Sequence, residues 1–484
     1  MSELDEREIH DIIERVRRRV AAAGDAAGSR PGAGLRADAE LAAADAADLG
    51  DGIHATIDEA VTAASRAFVA FGAQGLAGRK VIIDAVRRTM LDHADQLARM
   101  AHQETHLGRV DDKVVKNRLV ASKAPGPEDL EVQAVTGDAG MMVTEFAPFG
   151  VVAAITPVTN PTSTIINNTI SIVSAGNAVV FNAHPSAKRC SAETVRLINR
   201  AIVAAGGPPD LVTAVATPTI ETARALMSHP GVRVLLVTGG PAVVREALRT
   251  DKRAITAGPG NPPAVVERAA RDIVRGASFD NNLVCIDEKV VLVVDTVADR
   301  LIRAMTQAGA YLLKEHELRR LERVIFRELG QPGKPGVMNP AWIGQDAARI
   351  LAEIGVQAEP TPRLLIADVP RDHSLAWTEQ MMPVLPIVRV GNVDQAIDLA
   401  VRMEHGFRHT ASIHSTNVET ITKMARAMNC SIFVTNGPNY AGLGEGGEGF
   451  TSFSIASPSG DGLTRPRTFS RERRITVVGA LRIV

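Results

Sequence analysis

The chain has 484 residues, 45% of them apolar, a balance that supports a large buried core and excludes a disordered or fibrous protein. Its 54 basic and 55 acidic side chains are interspersed and sum to a formal charge of -1, so nothing in it marks a nucleic-acid or anionic-membrane partner. Cys190, Cys285 and Cys430 lie far apart, with no C-x-x-C pair and no histidine cluster, which argues against a metal site or a disulfide framework and suits a reducing cytosol.

In chain order, residues 1–20 carry Leu4, Ile9, Ile12, Ile13, Val16 and Val20 among Glu and Arg, the period of an amphipathic helix. Residues 21–52 are rich in Ala, Gly and Asp and bury little, so they read as a tether. A helix on such a tether suits docking to another protein, although it can also fold back onto its own body. Residues 57–71 and 79–107 then read as helices. Short apolar runs at Gly150 to Ile155, Ala178 to Phe181, Val212 to Val215 and Val234 to Val237 read as buried strands between helices. A second series follows at Lys289 to Val294, Leu364 to Ala367, Ile387 to Val390, Ala411 to His414 and Ser431 to Thr435. Alternation of this kind predicts two α/β domains with mainly parallel sheets, divided as 53–265 and 266–445, with a C-terminal return at 446–484. Ile475 to Val484 and residues 138–147 are β-rich without sequence-adjacent partners, and together they suit a small β arm for oligomerisation.

The segment S-F-D-N-N-L-V-C-I-D-E-K, Ser278 to Lys289, sets Cys285 after a polar Asp-Asn-Asn turn and before an apolar strand, where a thiol can stand at a loop mouth. It resembles the nucleophile loop of the aldehyde dehydrogenase superfamily, and its D-N-N-L resembles the CoA-acylating branch found with ethanolamine and propanediol utilisation. E-F-A-P-F-G-V-V-A-A-I-T-P-V-T-N-P-T, Glu145 to Thr162, resembles that family's strand and oxyanion loop. The resemblance implies an aldehyde dehydrogenase-like fold, a catalytic Cys285 and Asn160 as oxyanion donor. From the bare dipeptide, Asn160-Pro161 would be read as a turn.

For the cofactor, the resemblance implies NAD, with NADP left open, held by Thr156, Pro157 and Thr159 and by Thr238-Gly239-Gly240 after the strand V-L-L-V. Asn182, His184 and Pro185 stand where relatives meet the adenosine ribose, Glu379 and Pro383 lie on the nicotinamide side, and Ala257-Gly258 on the loop facing the cysteine. Ala257 occupies the position where hydrolytic relatives carry a water-activating glutamate, so no such carboxylate is expected beside the sulfur. A positioned base is worth about 100- to 10,000-fold. Its loss favours transfer to a thiol, whose own pKa of about 8.5 supplies nucleophile near neutrality.

The reading is therefore a CoA-acylating dehydrogenase of short aldehydes, with CoA as co-substrate and no metal. The resemblance also implies a homodimer or tetramer in the bacterial cytoplasm, within a microcompartment lumen, docked on shell or cargo proteins through residues 1–20. Two other readings are a hydrolytic aldehyde dehydrogenase that makes the free acid, and an inactive scaffold or cargo adaptor.

Overall fold

The computed structural model describes residues 49–266 and 270–483. The docking helix expected at 1–20, and the tether up to residue 48, lie outside the described residues. The rest begins with strand β1 (Ile53–His54) and helices α1 (Ile57–Phe71), α2 (Leu76–Asp92), α3 (Ala94–Thr105) and α4 (Val110–Lys123). Thr56 opens α1 with a reciprocal capping box to Glu59. The single helix expected over 79–107 is two, because the chain leaves helical geometry at His93. The apolar period runs on across that break, which is why it did not show in the sequence.

A hairpin, β2 (Gln133–Gly137) and β3 (Gly140–Pro148), leads into β4 (Val151–Ile155), α5 (Pro161–Ser174), β5 (Ala178–Asn182), α6 (Lys188–Ala204), β6 (Val212–Val215), α7 (Ile220–Ser228), β7 (Val232–Thr238), α8 (Pro241–Leu248) and β8 (Arg253–Ala257). Strands β1-β6-β5-β4-β7-β8 form one sheet, every pair of it parallel. Residues of β4, β5 and β6 are all buried because helices cover both faces, so these strands are unbroken apolar runs rather than alternating ones. From β4 the chain builds outward through β5 and β6 and then returns to the other side as β7 and β8. The winding thus reverses between β4 and β7, and the carboxyl ends of those strands are where an open sheet of this kind ordinarily receives a ligand.

The second sheet contains β9 (Pro263–Val266), β10 (Val290–Val294), β11 (Ala310–Leu312), β12 (Leu364–Val369), β13 (Val384–Val390), β14 (Thr410–His414) and β15 (Ile432–Thr435). Its order is β11-β12-β13-β10-β9-β14-β15, again parallel throughout. The domain division expected at residue 265 falls inside β9, which pairs with β10 and β14, so the crossing lies within 258–262. Pro262 and Pro263 hid that strand, since proline is tolerated at a strand's first residue but reads as a break.

The last long strand, β16 (Ser470–Val478), pairs antiparallel with β3, and β2-β3-β16 make a three-stranded arm. It starts at Ser470 rather than Ile475, through the charged run Arg471 to Arg474. Most of β16 is solvent-exposed, and hydropathy cannot mark a strand of that kind. Ile475 and Val478 stand 61% and 81% exposed on the arm, an apolar surface suited to another subunit. Phe181 at the centre of the first sheet has no exposed surface, so Phe181→Ala should cost about 3–5 kcal/mol and lower the urea midpoint of the first unfolding transition; an unchanged midpoint would count against this packing.

Candidate active site

The nucleophile loop adopts a conformation that few residue types accept. Asp280, Asn281 and Asn282 have φ of 43, 56 and 63°, three successive left-handed residues. Asp and Asn are the side-chain-bearing types that enter this region most readily. Each is also tied down. The Asp280 carboxylate accepts from the Arg109 backbone N–H at 2.6 Å. The Asn281 amide donates to the Gly344 carbonyl at 2.9 Å, and the Asn282 amide to the carbonyls of Ala277 and Glu288 at 2.8 and 3.0 Å. From beneath, the buried Lys289 ammonium donates to the Asn282 carbonyl at 2.7 Å, to its side-chain oxygen at 2.6 Å and to the Val284 carbonyl at 3.2 Å. Cys285, at the end of this scaffold, keeps part of its surface open between neighbours that are buried.

Asn160 is the N-cap of α5, with Pro161 in the first turn. The turn read from the dipeptide is thus a helix start. An asparagine at that place ordinarily caps with its own side chain, yet Asn160 makes no capping bond. Its oxygen accepts from Lys116 Nζ at 2.6 Å instead, and its nitrogen donates to Thr159 Oγ1 at 3.1 Å. Lys116 also bonds the Asp280 carboxylate, which links the amide to the cysteine loop. Lys113 and Lys116 of α4 were not singled out in the sequence, where D-D-K-V-V-K reads as a solvated helix face.

Around the sulfur, burial pushes the Cys285 thiol up to about 12; Glu379 adds to the rise, Lys289 opposes it and Asp287 adds again. The expectation is that no water-activating carboxylate stands beside the sulfur; two carboxylates act on it electrostatically, and each has a backbone partner. Asp287 is turned back to the Val284 N–H at 3.0 Å, and Glu379 receives the Gly260 N–H at 3.4 Å. Ala257 itself is buried at the end of β8 and brings no charge. Gly260 is a close approach. A Cβ there would stand 2.7 Å from the Cys285 carbonyl oxygen and 3.1 Å from the His409 ring. His409 is a residue the sequence did not mark. Burial, and then Lys289, lower its pKa to about 4, so it is neutral at pH 7, and its Nε2 is buried without a hydrogen-bond partner. Its only signal in the chain is a His-Thr pair opening a strand, which is too common to count.

Most of the remaining candidates collect at the carboxyl edge of the first sheet. Thr156 and Pro157 follow β4, His184 and Pro185 follow β5 on the surface, Thr238-Gly239-Gly240 lead from β7 into α8, and Ala257-Gly258 close β8. This edge fits a dinucleotide. The Thr156 hydroxyl is buried there with no partner, and Gly240 caps α8 with no side chain, so the helix N–H groups are left to a ligand. Three candidates sit elsewhere or are occupied. Thr159 belongs to the Asn160 network, its carbonyl accepting from Lys113 at 3.4 Å. The Asn182 oxygen accepts from Thr222 at 2.6 Å and its nitrogen faces the Thr219 carbonyl at 3.4 Å, so it secures the start of α7. Pro383 is buried in the second sheet, with its carbonyl bound by the Leu365 N–H.

The sequence model of the aldehyde dehydrogenase family matches residues 43–319 and 346–453. The chain belongs to that family. Among its aldehyde dehydrogenase relatives is the acetylating acetaldehyde dehydrogenase EutE of Salmonella typhimurium, 50% identical over 90% of this chain and 94% of that one. A propionaldehyde dehydrogenase of Rhodopseudomonas palustris, solved with bound CoA and an acylated cysteine, superposes with a TM-score of 0.86 at 45% identity, over 90% of this chain and all of that one. Another, from the fucose utilisation microcompartment of Clostridium phytofermentans, has a TM-score of 0.86 at 41% identity, over 90% of this chain and 100% of that one.

With the thiol raised to about 12, peptide-resolved iodoacetamide labelling of Cys285 in the ligand-free protein should keep accelerating between about pH 7 and 10. A plateau below about pH 9 would contradict that electrostatic reading. Glu379→Gln removes a negative charge, lowers the thiol pKa and should speed labelling at about pH 8 by roughly three-fold or more.

Proposed function

We propose that this chain oxidises a short aliphatic aldehyde of the acetaldehyde and propanal class with NAD and passes the acyl group to CoA through a Cys285 thioester. The observation that carries the reading is a cysteine only partly buried as a residue, on a locked loop tied to an amide donor, with alanine rather than glutamate at position 257.

In the first half-reaction the Cys285 thiol loses its proton and the sulfur attacks the aldehyde carbon. The new oxyanion accepts hydrogen bonds from Asn160 Nδ2 and from the Cys285 backbone N–H, the arrangement that makes this step affordable. The thiol proton leaves to solvent, because His409, lowered to about 4, is far too weak a base to hold a proton taken from a thiol raised to about 12. NAD, when held at the edge of the first sheet by Thr156, Thr238, Gly240 and His184, supplies the hydride acceptor. Loss of hydride from the carbon leaves a thioester on Cys285. In the second half-reaction the CoA sulfur, having given up its proton, attacks the thioester carbon and the Cys285 thiolate departs. One aldehyde, one CoA and one NAD thus give one acyl-CoA, one NADH and one proton. Glu379 is assigned to the nicotinamide ribose.

Hydrolysis is disfavoured because neither carboxylate near the sulfur replaces the missing base: Asp287 is bound to the loop backbone, and Glu379 is assigned to the ribose. We infer that the β2-β3-β16 arm builds a homodimer or tetramer. We also assign residues 1–20 to docking on shell or cargo proteins, which puts the enzyme in a bacterial microcompartment lumen. The exposed apolar residues of the arm support the oligomer, and the Clostridium phytofermentans relative supports the microcompartment.

NADH formation from propanal should depend on CoA, and Asn160→Ala should lower turnover roughly 100- to 1,000-fold with little change in NAD binding. Equal steady-state rates without CoA would indicate the hydrolytic reading, and complete inactivity toward aldehydes would indicate the scaffold. Deletion of residues 1–20 should leave turnover intact and abolish co-purification with shells, and unchanged co-purification would remove the docking assignment.

A further inference from the structure

Two lysines one turn apart on α4 are left unused by the chemistry above. Lys113 and Lys116 are 3% and 2% exposed, and both ammonium groups meet at the carboxylate of Asp280, which has no exposed surface. Burying an ammonium group costs several kcal/mol unless it is paired and hydrogen-bonded. A single lysine would neutralise Asp280, so the second needs a different reason to be there. Lys113 donates to Asp280 Oδ2 at 3.1 Å and to the Thr159 carbonyl at 3.4 Å, which already pairs the carboxylate. Burial lowers Lys113 to about 8. Burial also disfavours the Asp280 charge, but the two lysines outweigh it and hold its carboxyl below the ordinary value.

The bond from Lys116 that Asp280 does not explain runs to Asn160 Oδ1 at 2.6 Å. An ammonium group has donors only, so it accepts one orientation of a carboxamide and rejects the flipped one, in which NH2 would face NH3+. With the oxygen held there and one N–H directed to Thr159 Oγ1 at 3.1 Å, a single N–H remains. A cation on the amide oxygen also draws electron density from the nitrogen and strengthens that remaining donor. Asp280 completes the link, since its own backbone lies five residues before Cys285 and its N–H is held by Asp112 Oδ2 at 3.0 Å.

We propose that Lys116 is a positioning residue of the oxyanion site: it fixes which way the Asn160 amide faces and, through Asp280, sets that amide in register with the Cys285 loop. The inference rests on Asn160 being the oxyanion donor. It differs from a purely structural role because Lys116 should matter only while Asn160 is present.

The test is a double-mutant cycle on the full-length enzyme, read as the pre-steady-state rate of NADH formation at saturating NAD, with thermal melts and NADH binding as checks on folding. Lys116→Met should slow that step roughly 10- to 100-fold in the native background and less than about two-fold in Asn160→Ala, because coupled residues are non-additive. Lys116→Gln carries the same cycle if the methionine variant does not fold, with a smaller loss, since its amide can still donate but no longer dictates orientation. Equal factors in both backgrounds, or no loss in the native one, would overturn the proposal while leaving Asn160 in its role. An unimpaired Asn160→Ala enzyme would instead overturn the oxyanion reading itself, and this proposal with it.

Discussion

The carboxylate of Asp280 is the contact on which the site's geometry depends. It lies fully buried between Lys113 and Lys116 of α4, accepts the Arg109 N–H, and belongs to the same loop as Cys285. Three successive left-handed residues cost about 1 kcal/mol or more apiece. Charge-assisted hydrogen bonds return about 1.5–3 kcal/mol each, and the loop holds several, so the bonds outweigh the strain. Lys113 alone can keep the carboxylate paired, so the loop does not depend on both lysines for its charge balance. A loop held this way presents its thiol in one place, and catalysis by proximity requires that.

The electrostatics around the sulfur oppose one another. Burial and the carboxylates of Glu379 and Asp287 favour the protonated thiol, while Lys289, threaded beneath the loop, favours the thiolate. In the ligand-free protein the first group prevails, and the resting cysteine is a weak nucleophile. Such a thiol is also slow to oxidise, since oxidation follows thiolate character. The same burial and the same lysine keep the His409 imidazole neutral at pH 7, and they also leave it too weak a base to draw the proton from such a thiol.

Acyl transfer to CoA rather than to water follows from what surrounds the thioester more than from any special affinity. Water is a poor nucleophile without a base, and a thiol is not. Ala257 is small, buried and neutral at the end of β8, while the two carboxylates that approach Cys285 have other partners or another assignment.

Much was legible in the chain itself. Continuous apolar runs marked most strands, because a parallel sheet covered on both faces is written largely in Val, Ile, Leu and Ala, as β4 and β5 are. Cys285 and Asn160 stood out because the segments around them resemble the family's nucleophile and oxyanion loops, whereas Asn-Pro by itself reads as a turn; the glycines after β7 marked a close approach. The expectations failed where long-range contact decided the outcome. β9 was hidden by two prolines, β16 by its exposure, and the break at His93 by an unbroken apolar period. Lys113 and Lys116 look like surface residues until Asp280, more than 160 positions away, closes over them. Asn182, a candidate ribose ligand by position, is engaged by Thr222. Burial periodicity is written residue by residue, so the sequence alone determined the fold class, and the resemblance of its loops to a known family singled out the candidate nucleophile and the candidate position of a missing base. Which charges are desolvated together, which amide is held by which cation and which carboxylates approach the sulfur depend on distances between segments remote in the chain, and those were decided only by the tertiary structure.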